Sequence, residues 1–403
     1  MDDSVFGALA EVLERTLASL PGPSRERLGK EVFQLKELLM EARPPKLMIL
    51  GRRGAGKSSL VNAIFGERVA AVGSVLSQTG QLTWYAYKSP KGELRILDTR
   101  GLGDRTQPES ANFKRAGDQI KETVRGEAPD SILFLCKAKE VDAHIAEDVG
   151  NIVVIRRFIA QKHGFEPPVV ALVTQVDELD PKRVEPPYAD PVKQRNIELA
   201  VAAVDGALRE QGVALAKVLP VSAYAEYGAD GALAYSNSWN IDRLVEYLVD
   251  GLPQSAQIQM ARLSRLRSVQ ERMARRLIGA AASLSAGIAA VPIPVADIVP
   301  LTALQVGLIT GISYISGREM SAGAAREFLV ALGANIGAAF VLREAARALA
   351  KVVFPVGGEA ISAGVAFAGT WGVGEAAIAY FIHERSIAEV RKLLKRRGRQ
   401  REV

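Results

Sequence analysis

The chain has 403 residues, with 51 Lys and Arg against 45 Asp and Glu for a formal net charge of +6, and is 48% hydrophobic and 24% charged. That balance excludes a disordered chain, suits two or three packed domains, and favours an anionic partner. A single cysteine, Cys136, excludes an internal disulfide and a cysteine-rich metal site, and fits a cytoplasmic compartment.

The first residues, MDDSVFGALAEVLERTL, are acidic and amphipathic, unlike a secretory signal. Residues 1–43 read as one or two helices broken at PGPS, and LGKEVFQLKELLMEA carries one apolar stripe at helical spacing. Residues 44–252 alternate strands and helices, with KLMIL, QLTWYAYK, ELRILD, SILFLC, VVALVT and KVLPVS as the strands. The SPKG turn makes the second and third a hairpin, and helical patterns separate most of the others. An α/β fold follows: a mostly parallel six-stranded sheet with helices on both faces and one antiparallel edge strand. Residues 253–403 read as all-α, and from Leu277 to Gly317 the only charge is Asp297.

The first chemical motif is GRRGAGKS, Gly51 to Ser58, between a predicted strand and a predicted helix. Glycines let backbone amides turn around an anion, and the helix N-terminus adds positive potential. Gly51, Gly54, Ala55, Gly56, Lys57, Ser58 and Ser59 are thus the expected phosphate cradle. Lys57 is expected on the β- and γ-phosphates and Ser58 on Mg²⁺. Asp98, in DTRGLGD at the end of the third strand, is expected to hold Mg²⁺ through water, and the Gly101 amide to sense the γ-phosphate. Thr79 is the expected hydroxyl that closes over Mg²⁺ when that phosphate is present.

TQVD places Asp177 just past a buried strand. A carboxylate there accepts from guanine N1–H and the 2-amino group, whereas adenine would leave it unpaired. Thr174 and Gln175 belong to the same motif, and the loop amides of Ser222 and Ala223 are expected at guanine O6. His144, His163 and His383 lack metal-ligand spacing, and Asp104 reads equally as a switch residue and a helix cap.

In this order and spacing, over residues 45–250, these motifs resemble the Era-like branch of P-loop GTPases, including Asn62 in the first motif. The layout of N-terminal helix, G domain and C-terminal helices is similar to immunity-related GTPases. The segment AAVPIPVADIVPLTALQVGLITGI resembles an uncharacterised hydrophobic helical domain found on bacterial Era-like GTPases. The resemblance implies GTP as substrate, GDP as product, Mg²⁺ as cofactor, and, by analogy, a GTP-dependent homodimer. Three departures bear on mechanism. Gln175 stands where the family has a lysine that lies along the base and braces the phosphate loop. Leu102 stands where Ras-type switches carry a water-orienting glutamine, so slow intrinsic hydrolysis is expected. Gly54 replaces the potassium-binding asparagine of some relatives, and Arg52 and Arg53, beside it, read as solvated or structural ahead of a charge-neutralising role.

Residues 298–316 are uncharged and just reach the length of about 20 that a bilayer span needs. With 279–296 they read either as a membrane hairpin between basic flanks, at the inner face of a cytoplasmic membrane, or as the buried centre of a bundle. The tail RKLLKRRGRQREV suits anionic headgroups. Nucleic acid is disfavoured, because no aromatic residue interleaves its charges. The alternative function, a GTP-dependent assembly factor acting on RNA or ribosomes, would use the same tail.

Overall fold

A computed structural model describes residues 3–69, 84–89, 92–98, 109–141, 145–213, 217–228, 233–264, 266–290, 298–318, 321–333 and 358–399. The chain divides into two compact units, Pro44–Ala256 and Met1–Arg43 with Gln257–Val403.

The first unit is built on β1 (Lys46–Gly51), β2 (Trp84–Ser89), β3 (Gly92–Asp98), β4 (Ser131–Lys137), β5 (Val169–Thr174) and β6 (Lys217–Pro220), in the order β2-β3-β1-β4-β5-β6. Within this sheet, among the described residues, only the β2–β3 pair is antiparallel, with Ser89 opposite Gly92. Near-continuous apolar runs such as KLMIL and VVALVT form these strands because both faces are covered. Met48, Leu50, Ile132 and Phe134 share a core with Ile120 and Val124 of α4 (Glu109–Gly126), Ile152 and Ile155 of α5 (Ile145–His163), and Val204 of α6 (Pro191–Glu210). Leu47, Ile49, Leu133 and Leu135 alternate with them, face the other side and are equally buried. α3 (Lys57–Phe65) and α7 (Ile241–Gly251) pack on each other.

The chain leaves β1 with β3 on one side and β4 on the other. In open α/β sheets the crevice beyond the carboxyl ends of the strands at such a point is where ligands bind. A two-stranded hairpin, β7 (Ala225–Tyr227) with β8 (Leu233–Ser236), follows the sheet and has no counterpart in the sequence reading.

The second unit is helical among its described residues: α1 (Asp3–Ser19), α2 (Gly22–Leu39), α8 (Gln254–Leu263, where the units divide), α9 (Arg267–Ala289), α10 (Ile298–Ile315), α11 (Ala322–Gly333), α12 (Gly358–Ala377) and α13 (Ile387–Arg399). The N-terminal helices do not stand apart. α1 packs on α10, and α2 on α9, which also packs on α10 and α12. Glycines set how closely these helices approach: a Cβ at Gly287 would lie 2.1 Å from Leu28 Cδ2, and one at Gly374 would lie 2.4 Å from Ile278 Cγ1. Residues expected as one arm of a membrane hairpin, Leu304, Leu308, Ile309 and Ile312, are buried in this bundle. A helix touched on every side is hydrophobic on every side. Among the described residues one helix, Ala363–Ile382, is long and apolar enough to cross a membrane, with mean hydropathy 1.4 and 61% of its window buried. Two polar contacts are made inside the bundle: Thr370 Oγ1 donates to Ser285 Oγ at 2.8 Å, and the Arg262 guanidinium lies 3.9 Å from the Tyr314 ring centroid while donating to Tyr314 O.

Because Leu28 is fully buried, Gly287→Ala leaves its side chain no room to move away. The expected cost is about 1–3 kcal/mol of stability. Leu28→Ala alone should cost about 2–5 kcal/mol, and the double variant less than the sum, since the new methyl fills part of the cavity. Denaturant unfolding of the four proteins checks this packing of α2 on α9.

Candidate nucleotide site

The phosphate-loop residues sit at the carboxyl end of β1. Gly51 pairs with Leu135 across β1–β4, and a Cβ on it would lie 2.8 Å from Leu135 O. Gly54 and Gly56 take φ of +77° and +87°, a region that costs other residues about 1–2 kcal/mol. Gly56 caps α3, so Lys57 and Ser58 open the helix where its amides point out. Lys57 Nζ donates to Gly51 O at 2.8 Å and Arg52 O at 3.3 Å, which holds the ammonium on the loop. Asn62 is fully buried, and its Oδ1 accepts from Val69 N at 2.9 Å, tying α3 to the segment that follows it.

Asp98 ends β3, one strand over, with its backbone opposite Ile49. A helix-opening hydroxyl at Ser58 and a carboxylate residue ending the adjacent strand are hard oxygen donors of the kind Mg²⁺ takes beside phosphates. Thr79, Gly101, Leu102, Asp104 and His144 lie outside the described residues. Among the described residues no group of three or more His, Cys, Asp or Glu forms a metal cluster.

The base motif closes on the same edge. Gln175 takes φ of 58°, and its Nε2 donates to Gly54 O at 2.8 Å. The residue in the lysine's place thus still braces the phosphate loop, by a neutral hydrogen bond. Thr174 Oγ1 donates to Cys136 O at 3.3 Å, linking β5 to β4. Asp177 follows in a short turn, Val176–Glu178. Ser222 is fully buried, but its amide donates to Trp239 O at 3.2 Å. Of the two amides expected at guanine O6, the Ser222 amide is therefore engaged within the protein.

Three residues escaped sequence reasoning. Lys193 is fully buried; Nζ donates to Asp177 O at 2.8 Å and to Leu179 O, and lies 5.1 Å from the Tyr188 ring. Burial depresses its pKa, opposed by the Asp177 and Asp180 carboxylates. Only Asp190, which caps α6 by accepting from Lys193 N at 2.9 Å, marked that position as a helix start. Asp148 on α5 is the second: its carboxylate accepts from Arg52 Nε at 3.0 Å and Nη2 at 3.2 Å. Arg52 is thereby a structural strut between the loop and α5. The third is Lys137, at the end of β4.

Tyr188 is also fully buried, edge-on to Trp239 at 5.1 Å. Burial pushes its phenol from 10.0 up to about 12. The folded protein then keeps this proton longer than the unfolded chain, so the phenol's contribution is whole below pH 10 and is lost as pH rises through 12. Two pH units correspond to about 2.7 kcal/mol. Between pH 10 and 12, wild type should lose up to about 2 kcal/mol relative to Tyr188→Phe, read as the difference in their unfolding free energies.

Residues 46–163 match the family described as 50S ribosome-binding GTPase, and residues 254–400 match a domain of unknown function, DUF697. The chain is 33% identical over 130 residues to the tRNA modification GTPase MnmE of Shewanella loihica, covering 30% of this chain and 27% of that protein. It is 28% identical over 185 residues to the GTPase Era of Streptomyces coelicolor, covering 45% and 49%. The chain thus spans half or less of these relatives. Among solved structures it is similar to Aquifex aeolicus Era bound to GDP·AlF4− (20% identity, 52% of this chain and 56% of that one, TM-score 0.32). It is also similar to Toc33 of Arabidopsis thaliana in complex with GDP and Mg²⁺ (17% identity, 61% and 95%, TM-score 0.36). Taken with the phosphate loop at β1 and the base motif at β5, the two family matches identify residues 46–163 as a P-loop GTPase domain with Era-like relatives and residues 254–400 as a domain of the DUF697 family.

Proposed function

We propose that the chain is a Mg²⁺-dependent GTP-binding and GTP-hydrolysing switch whose nucleotide state is relayed to its helical part. The observation that carries this is the Gln175–Gly54 hydrogen bond of 2.8 Å, which joins the base-reading motif to the phosphate loop on one sheet edge. In this reading Lys57 neutralises the β- and γ-phosphates. Ser58, Thr79 and Asp98 serve Mg²⁺, and Gly101 senses the γ-phosphate. Asp177 selects guanine and Ala223 donates to O6. The G domain is residues 44–252, flanked by the helical segment 1–43 and the helical domain 253–403. The protein works in the cytoplasm, at an anionic membrane face, and pairs with a second copy when GTP is bound. Two features support the membrane part: the apolar Ala363–Ile382 helix and the basic α13, IAEVRKLLKRRGR.

The test is single-turnover hydrolysis with Mg²⁺. Intrinsic turnover should fall between about 10⁻⁴ and 10⁻² s⁻¹, since Leu102 cannot orient water, and Lys57→Ala should abolish it. GTP turnover unchanged in Lys57→Ala would contradict the reading. Liposome flotation with GDP and with a GTP analogue tests the membrane part; no flotation in either state removes it. A second reading, a factor acting on RNA or ribosomes, rests on the names of the relatives and the basic α13. Nuclease-sensitive co-sedimentation with ribosomes would favour it.

A further inference from the structure

Lys137 is the last residue of β4 and pairs with Thr174 of β5, next to Gln175. It lies two residues beyond Leu135, the partner of Gly51. Two strand residues advance the chain by about 7 Å, which carries Lys137 past the sheet edge and alongside the phosphate loop. There Nζ and Cε lie 3.2 and 3.3 Å from the point a Gly54 Cβ would occupy. The same glycine receives the Gln175 hydrogen bond on its carbonyl. Two side chains from adjacent strands therefore converge on Gly54, one neutral and one cationic.

A nucleoside di- or triphosphate brings several negative charges to this loop, and Gln175 brings no charge to meet them. Lys137 does, and it is held in place: Nζ also donates to Glu140 Oε1 at 2.8 Å, and Glu140 is half exposed while Lys137 is only 23% exposed. We propose that Lys137 is a nucleotide-positioning residue, bracing the phosphate loop at Gly54 and supplying from β4 the positive charge that Gln175 lacks. The hydrogen-bonding and charge-bearing roles are split between the ends of two neighbouring strands, with the tip of the Lys137 side chain over the open face of Gly54. This inference rests on the guanine-nucleotide reading above.

The experiment is equilibrium titration of the full chain with a fluorescent GDP in Mg²⁺ buffer. Wild type is compared with Lys137→Met, Lys137→Arg, Gln175→Lys and the double variant Lys137→Met with Gln175→Lys. Thermal unfolding of each confirms its fold. Lys137→Met should weaken binding at least tenfold, and Lys137→Arg should stay within threefold of wild type. Gln175→Lys should not tighten binding in wild type, because two ammonium groups would then meet at one glycine. In the Lys137→Met background it should recover at least fivefold. Binding by Lys137→Met within twofold of wild type overturns the proposal and leaves the guanine reading standing. A loss that neither arginine nor Gln175→Lys recovers also overturns it, by showing a purely structural role. Absence of saturable GDP binding by wild type overturns both.

Discussion

Asp177→Asn should lower affinity for GDP by a factor of about 10² to 10³ and raise affinity for xanthosine diphosphate. A carboxylate accepts two hydrogen bonds from guanine, and bonds to a charged group contribute about 1.5–3 kcal/mol each. The asparagine amide presents a donor where guanine also presents one, so one bond is lost and a repulsive contact replaces it. Xanthine carries an oxygen at that position and accepts from the amide. Asp177 sits in a short turn whose backbone oxygen is held by the buried Lys193, so the substitution should leave the loop in place. Competition between the two diphosphates for the wild-type and variant proteins checks this. Equal loss for both bases would mean that the variant has deformed the loop rather than changed its reading.

Gly51→Ala should cost about 1–3 kcal/mol of stability and reduce nucleotide affinity at least tenfold. The new Cβ would lie 2.8 Å from Leu135 O and 3.0 Å from Leu135 Cβ. Both belong to β4, and the oxygen is backbone, so β1 and β4 must separate where the phosphate loop begins. Gly56→Ala is the informative comparison. A Cβ there meets nothing within 4 Å, and only the φ of +87° opposes it. Its stability loss should be about 1–2 kcal/mol, from backbone strain alone. Chemical denaturation and GDP titration of both variants separate a packing clash from a backbone cost.

The centre of the sheet was legible in the sequence because β1, β4 and β5 are buried on both faces and read as continuous apolar runs. KLMIL and VVALVT differ from β1 and β5 by a residue at most. The phosphate loop and TQVD were legible because their chemistry demands particular residues at fixed spacing. The β7–β8 hairpin was not, since strands of 3 and 4 residues are too short for alternation to stand out. Lys193 and Lys137 were invisible for a different reason. A lysine's ordinary place is at the surface, and nothing in DPVKQR or SILFLCK says that one ammonium ends beneath the base motif and the other against a glycine far away in the chain. The helical part shows the limit of hydropathy. An uncharged stretch of membrane length is equally the centre of a bundle, and glycines such as Gly287, with Leu28 filling the space beside it, mark close helix packing only once the neighbour is known.

The most direct measurement is calorimetric titration of the full chain with GDP, a non-hydrolysable GTP analogue and ATP, each with Mg²⁺. The account predicts one saturable site for both guanine nucleotides and at least a hundredfold weaker binding of ATP, because adenine would leave the Asp177 carboxylate unpaired. Equal affinity for ATP, or no saturable binding of GDP, would contradict it.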